Sequence, residues 1–108
     1  MGPAIVADPV LKRYRAALDA MYGSRIERVV LFGSRARGDA TPDSDYDLAV
    51  FLLDMADRFA EMNRLADLST DILDETGEFV HAMPYAAGSY NDERMPLMFE
   101  IRADGVDL

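Results

Sequence analysis

The sequence predicts an α+β fold, a small mixed β-sheet packed by helices, on three observations. Helical periodicity alternates with short apolar runs in the order helix, strand, strand, helix, strand, helix. Two of those runs, Ile26 to Phe32 and Tyr46 to Leu53, flank a polar loop. The chain has 108 residues, enough for one core and too few for two, so residues 1–108 are expected to form a single domain.

Asp8 and Pro9 mark the first helix start. Aspartate serves as the N-cap, and proline takes the first helical position, where its missing N–H costs nothing. Val10, Leu11, Tyr14, Ala17, Leu18 and Met21 then recur at spacings of three and four, and Gly23 follows Tyr22 as a C-cap. Ile26 to Phe32 is the first strand, and its unbroken Val29 to Phe32 portion predicts cover on both faces. Ser34 to Arg37 reads as one helical turn, followed by a loop from Gly38 to Ser44 with turn residues Asp39, Thr41, Pro42 and Asp43. Tyr46 to Leu53 is the second strand.

From about Met55 to Thr76 the period is helical again, with Phe59, Met62, Leu65, Leu68, Ile72 and Leu73 among its apolar positions and Gly77 as its stop. Glu78 to Tyr85 reads as a third strand, and Pro84 near its end predicts an edge position or an early finish. A last helix spans about Met95 to Ala103, with Leu97, Met98 and Ile101 on one side and Gly105 after it. The methionines suit core packing, with a partner groove as the other use. Tyr85 and Tyr90 are open to stacking on a base or touching a partner.

Half of the residues are hydrophobic and 29% are charged, a globular balance. No apolar run approaches the roughly 20 residues of a membrane helix, and Met1 to Pro9 lack the pattern of a secretory signal. A cytoplasmic protein is expected. There are no cysteines, so thiolate metal sites and disulfides are excluded. The net charge of −9 repels a polyphosphate chain. Direct nucleic-acid binding is disfavoured; one nucleotide carried with magnesium is not.

The chemistry concentrates in residues 33 to 47. Gly33 and Ser34 end a strand and open a helical turn, so backbone N–H groups converge where no Cβ blocks a phosphate, and the Ser34 hydroxyl adds a donor. Alone, that pair is an ordinary serine-capped turn. Ten residues later Asp45 and Asp47, one residue apart, send both carboxylates to one side of a strand, a hard-oxygen pair suited to Mg²⁺. Arg35 and Arg37 offer guanidinium groups for triphosphate charge, and Ser44 orders the carboxylate loop or is a simple turn residue. Together these parts describe attack of an acceptor hydroxyl on the α-phosphate of a nucleoside triphosphate, with pyrophosphate leaving.

The segment Leu31 to Val50, Leu-Phe-Gly-Ser-Arg-Ala-Arg-Gly through Ser-Asp-Tyr-Asp-Leu-Ala-Val, closely resembles the minimal, MntA-like nucleotidyltransferases of the DNA polymerase β superfamily. The resemblance implies a polymerase β-like nucleotidyltransferase fold that uses ATP and Mg²⁺. It places Gly33, Ser34, Arg35, Arg37 and Ser44 on the nucleotide and Asp45 and Asp47 on metal. It also implies a partner. Many such proteins are antitoxins that bind a HEPN-domain RNase toxin or attach AMP to it. A catalytically degenerate domain acting by binding alone is the alternative, and a small-molecule nucleotidyltransferase is disfavoured by the missing acceptor domain.

One departure from the superfamily pattern matters. A third aspartate is usual on the next strand, where this chain reads Glu78-Phe79-Val80-His81. His81 stands at the expected place as a substitute catalytic group, and alternation puts Glu78 on the other side. Glu78, His81 or neither completes the site.

Overall fold

A computed structural model describes residues 7–108 of the chain; most of the Met1 to Pro9 stretch considered for a targeting signal lies outside them. Helix α1 spans Pro9–Tyr22 and closes on Gly23. The Asp8 carboxylate accepts from the N–H of Val10 at 2.8 Å and of Leu11 at 3.2 Å, satisfying donors that the first helical turn leaves without partners. Leu11, Tyr14, Leu18 and Tyr22 form its buried face. Met21, assigned to that stripe by spacing, is 40% exposed instead. Tyr22, four residues from Leu18, takes the inward place, with its hydroxyl donating to the Glu61 carboxylate at 3.0 Å.

A single 3₁₀ turn leads into β1, Ile26–Phe32. There follow α2, Ser34–Arg37, β2, Tyr46–Leu52, α3, Arg58–Thr76, and β3, Val80–Ala86. A second 3₁₀ turn at Ser89–Asn91 precedes α4, Pro96–Asp104, and β4, Val106–Asp107. The strand order is β3-β2-β1-β4. Strand β1 runs antiparallel to β2 and β4, and β2 runs parallel to β3 across the α3 connection. This is the mixed sheet with packed helices that the segment order predicts.

Strand β3 lies at the edge, where Pro84 costs no ladder bond. The Pro84 carbonyl accepts instead from Arg58 Nε at 3.1 Å. Strand β4 is the element without a sequence signal, since two residues are too few for periodicity. It forms because the chain turns tightly off α4 at Gly105, where a Cβ would run into the Ile101 carbonyl and the Val30 side chain, and then pairs with Val30 and Leu31.

Both faces of the sheet are covered. Val29, Leu31, Leu48, Val50, Leu52, Val80 and Ala82 pack against α1 and against Leu65, Leu68 and Ile72 of α3. On the other face Val30, Ala49 and Phe51 lie under Met98 and Ile101 of α4. Strand β2 is enclosed on both sides, which is why its run reads apolar without alternation. Tyr85 and Tyr90 pack on Phe51, each with ring centroids 5.7 Å away. Leu97 is 36% exposed beside the buried Met98 and Ile101, because those two, three apart, already define the inward line of α4.

Helix α3 turns Leu65, Leu68 and Ile72 inward together with Glu61 and Ser69. Phe59, 78% exposed, is rotated away from that line, so its apolar character does not mark the core. The buried Glu61 carboxylate accepts from Tyr22 Oη at 3.0 Å, Arg25 Nη2 at 3.3 Å and Arg64 Nη1 at 3.2 Å, so its charge is compensated where α1 meets α3. Alongside, the Tyr14 hydroxyl lies 2.9 Å from Ser69 Oγ and donates to the Leu65 carbonyl at 3.3 Å.

Burial, only partly offset by Ser69, pushes the Tyr14 phenol from 10.0 up to about 12. The folded protein holds this proton more tightly than the unfolded chain does, so the phenol's contribution to stability is whole below pH 10.0 and is lost as pH climbs toward about 12. Thermal melts across that window are expected to fall more steeply for the wild type than for Tyr14→Phe. At neutral pH Tyr14→Phe is expected to cost about 0.5–1.5 kcal/mol, the net worth of a hydrogen bond.

Candidate active site

The antiparallel register sets Phe32 opposite Asp47, so Gly33 is the first residue past the end of β1 and lies beside the start of β2. Gly33 adopts φ +76°, a region costly for any residue with a Cβ. The space is closed as well: a Cβ on Gly33 would meet Asp47 Oδ2 at 2.5 Å. The Asp47 carboxylate is seated against the bare glycine Cα. From Gly33 the chain enters α2, whose Ala36 and Arg37 N–H groups donate to the Gly33 carbonyl at 3.1 Å. Gly38, at φ +85°, ends it by donating to the Ser34 carbonyl at 3.0 Å.

Asp45 lies exposed just before β2, and Asp47 is partly buried within it. Side-chain alternation sends Asp47 to the α4 face, in the row of Ala49 and Phe51, and sends Tyr46 to the α1 and α3 face. On β3, His81 pairs in register with Asp47; its Nδ1 lies 3.8 Å from Asp47 Oδ1 and its side chain is 56% exposed. Burial raises the Asp47 carboxyl above its usual range, His81 pulls it back, the Asp45 charge raises it further, and Arg37 lowers it. An ionised carboxylate that is partly desolvated and next to a second one is a place where a cation relieves strain in the charge distribution.

Glu78 and Arg35 lie elsewhere. The Arg35 guanidinium is 4.0 Å above the Tyr46 ring, donates from Nε and Nη2 to the Ser44 carbonyl at 3.0 and 2.7 Å, and sits 3.6 Å from Glu78. That side of β2 is opposite to Asp47. Of the two groups considered for the third position, His81 stands beside Asp47 and Glu78 does not. Arg37 is exposed and pairs with Asp39 at 3.3 Å and Asp104 at 3.5 Å. Ser44 Oγ accepts from the Thr41 N–H at 2.9 Å, drawing the loop closed on itself.

Two contacts escaped sequence reasoning. Tyr46 Oη donates to Asp8 Oδ2 at 2.8 Å, joining the α1 N-cap to the residue between the two aspartates, and Arg35 faces that tyrosine. The available signal was alternation, because the residue between Asp45 and Asp47 must point away from both.

Among the described residues no set of three or more His, Asp or Glu side chains gathers in ligand geometry. The donor set on offer is the Asp45 and Asp47 pair of hard oxygens. This fits Mg²⁺, which takes one or two protein carboxylates and completes its octahedron with water and substrate phosphate.

A glycine-serine turn after one strand, an Asp-x-Asp at the start of its antiparallel neighbour and a parallel third strand define the nucleotidyltransferase class. Residues 19–106 match the family model described as polymerase beta, nucleotidyltransferase. The chain belongs to that family. It is 31% identical over 84 residues to "Putative protein adenylyltransferase MJ0604" of Methanocaldococcus jannaschii, covering 78% of each chain. Among solved structures it is similar to "a putative nucleotidyltransferase from Sulfolobus solfataricus", with a TM-score of 0.63, 21% identity, and coverage of 91% of this chain and 75% of that one. It is also similar to a toxin-antitoxin crystallised with AMP-PNP, with a TM-score of 0.62, 19% identity, and coverage of 89% and 70%. At such identities the two structures speak for the fold.

Gly33→Ala tests the seat of Asp47. It combines a positive φ with an overlap on the carboxylate, and is expected to cost about 1–3 kcal/mol and to weaken nucleotide binding. Gly38→Ala has a positive φ but nothing within 4 Å of the added Cβ. It should lose comparable stability in a thermal melt while keeping the nucleotide.

Proposed function

We propose that the protein transfers AMP from ATP, with Mg²⁺, to a hydroxyl on a HEPN-domain RNase toxin and so acts as its antitoxin in the cytoplasm. The observation that carries this reading is the Asp47 carboxylate seated on Gly33, with Asp45 two residues before it and His81 alongside. The name of the M. jannaschii relative supports protein as the acceptor, and the toxin-antitoxin fold relative with AMP-PNP supports both a toxin partner and an adenine nucleotide.

In this reading Gly33 and Ser34 receive the phosphates, and Arg37, at the rim with Asp39 and Asp104, lends its charge toward the triphosphate. Asp45 and Asp47 would hold Mg²⁺, which would supply charge neutralisation at the phosphates. The acceptor oxygen bonds to the α-phosphorus, the bond to the bridging oxygen breaks, and pyrophosphate leaves. His81, with Nδ1 toward Asp47, takes the hydroxyl proton on Nε2. No covalent enzyme intermediate forms.

Label from α-labelled ATP is expected to pass to the co-purified partner, and Asp45→Ala and Asp47→Ala should each abolish it. His81→Ala should slow transfer by about 10²–10⁴-fold, the range for a lost general base. Absence of transfer by wild type across Mg²⁺, Mn²⁺ and Co²⁺ would sink the enzymatic reading.

The histidine at the third position favours a second reading, in which the domain is catalytically degenerate and neutralises its partner by covering it. Rescue of growth in cells expressing the toxin separates the two. The enzymatic reading expects Asp47→Ala to lose rescue while still binding the partner, and the binding reading expects rescue to persist. The binding reading further expects His81→Asp, which restores a carboxylate, to gain transfer that wild type lacks.

A further inference from the structure

We propose that Arg35 is a positioning residue that holds the metal-binding loop in place, rather than a ligand of the nucleotide phosphates. The inference rests on reading Asp45 and Asp47 as the metal clamp. Arg35 grips the chain on both sides of Asp45. Its Nε and Nη2 fork onto the carbonyl of Ser44, at 3.0 and 2.7 Å, the residue immediately before. Its guanidinium carbon lies over the ring of Tyr46, the residue immediately after, 4.0 Å from the ring centre.

The brace continues outward from there. Nη2 lies 3.6 Å from Glu78, on the chain that enters β3 and carries His81, and the far end of the Tyr46 ring is tied to Asp8 at 2.8 Å. The residues on both sides of Asp45 and the chain entering β3 therefore meet at one guanidinium, and Asp8 joins them through Tyr46. The side chain is only 19% exposed, so it is already desolvated against these partners. Tyr46 and Asp47 leave opposite sides of β2, and Arg35 is on the Tyr46 side. To reach a phosphate at Gly33 it would have to give up the carbonyl, the ring and the carboxylate together.

The chemistry calls for arginine. A planar fork with five donors bonds one carbonyl twice while stacking on an aromatic face, whereas lysine brings one point charge and no plane. Groups that orient metal ligands from behind typically change metal affinity by about 10–100-fold when removed.

The test measures Mn²⁺ affinity by electron paramagnetic resonance in the presence of a non-hydrolysable ATP analogue, and separately measures binding of the analogue without metal. Arg35→Met is expected to weaken Mn²⁺ binding by about 10–100-fold and to leave metal-free binding of the analogue unchanged, with Arg35→Lys intermediate for Mn²⁺. Arg35→Met that weakens metal-free binding as strongly as Mn²⁺ binding overturns the proposal in favour of a direct phosphate ligand. Mn²⁺ affinity equal to wild type in Arg35→Met, or in Arg35→Lys should the first variant not fold, overturns it as well. A wild-type protein that takes up no Mn²⁺ with the analogue overturns the metal-clamp reading itself, a failure visible before any substitution is compared.

Discussion

The contact on which the rest of the molecule depends is the Asp47 carboxylate lying against the bare Cα of Gly33. It exists because Phe32 and Asp47 pair in the antiparallel register of β1 and β2. A slip of one residue would turn Asp47 into the core under α1 and α3 and bring Tyr46 out over the glycine, since side chains alternate along a strand. Two cores, one on each face, oppose that slip. Leu48, Val50 and Leu52 are committed to one face, and Ala49 and Phe51 to the other.

Asp47 ends the row that continues through Ala49 and Phe51, which explains its electrostatics. A carboxylate placed at the end of an apolar row loses part of its hydration, and no arginine or lysine among the described residues pairs with it directly. Under the proposed function, a cation bound beside Asp45 would relieve that cost. Arg37 stays at the rim, held by Asp39 and Asp104, and His81 supplies a neighbour that carries charge only when protonated.

Polar side chains stitch the layers in places where an apolar interface alone would slide. Glu61 gathers Tyr22, Arg25 and Arg64 at the α1 and α3 contact, and Arg35 gathers Ser44, Tyr46 and Glu78 at the loop. Glu61 is buried and Arg35 largely so, and each ties several segments at one point, which favours one arrangement over many. The loop of ten residues between Ser34 and Asp45 is thereby tied end to end, Arg35 to Ser44, and the spacing of the motif becomes a defined distance in space.

The sequence by itself determined the four helices, the Asp8 cap, the three longer strands and the spacing of Gly33-Ser34 from Asp45 and Asp47. Periodicity, capping residues, turn residues and a fixed spacing are local properties that can be read along a chain. Family membership followed from residues 31 to 50 for the same reason. Only the tertiary structure decided that Arg35 turns away from Asp47, that His81 and not Glu78 stands beside it, that Glu61 is buried while Phe59 is exposed, and that two residues after Gly105 make a fourth strand. Each of these depends on which strands pair, in what register, and on which helix covers which face. Those choices are made by contacts between residues tens of positions apart, and such contacts leave no periodic trace in either segment alone.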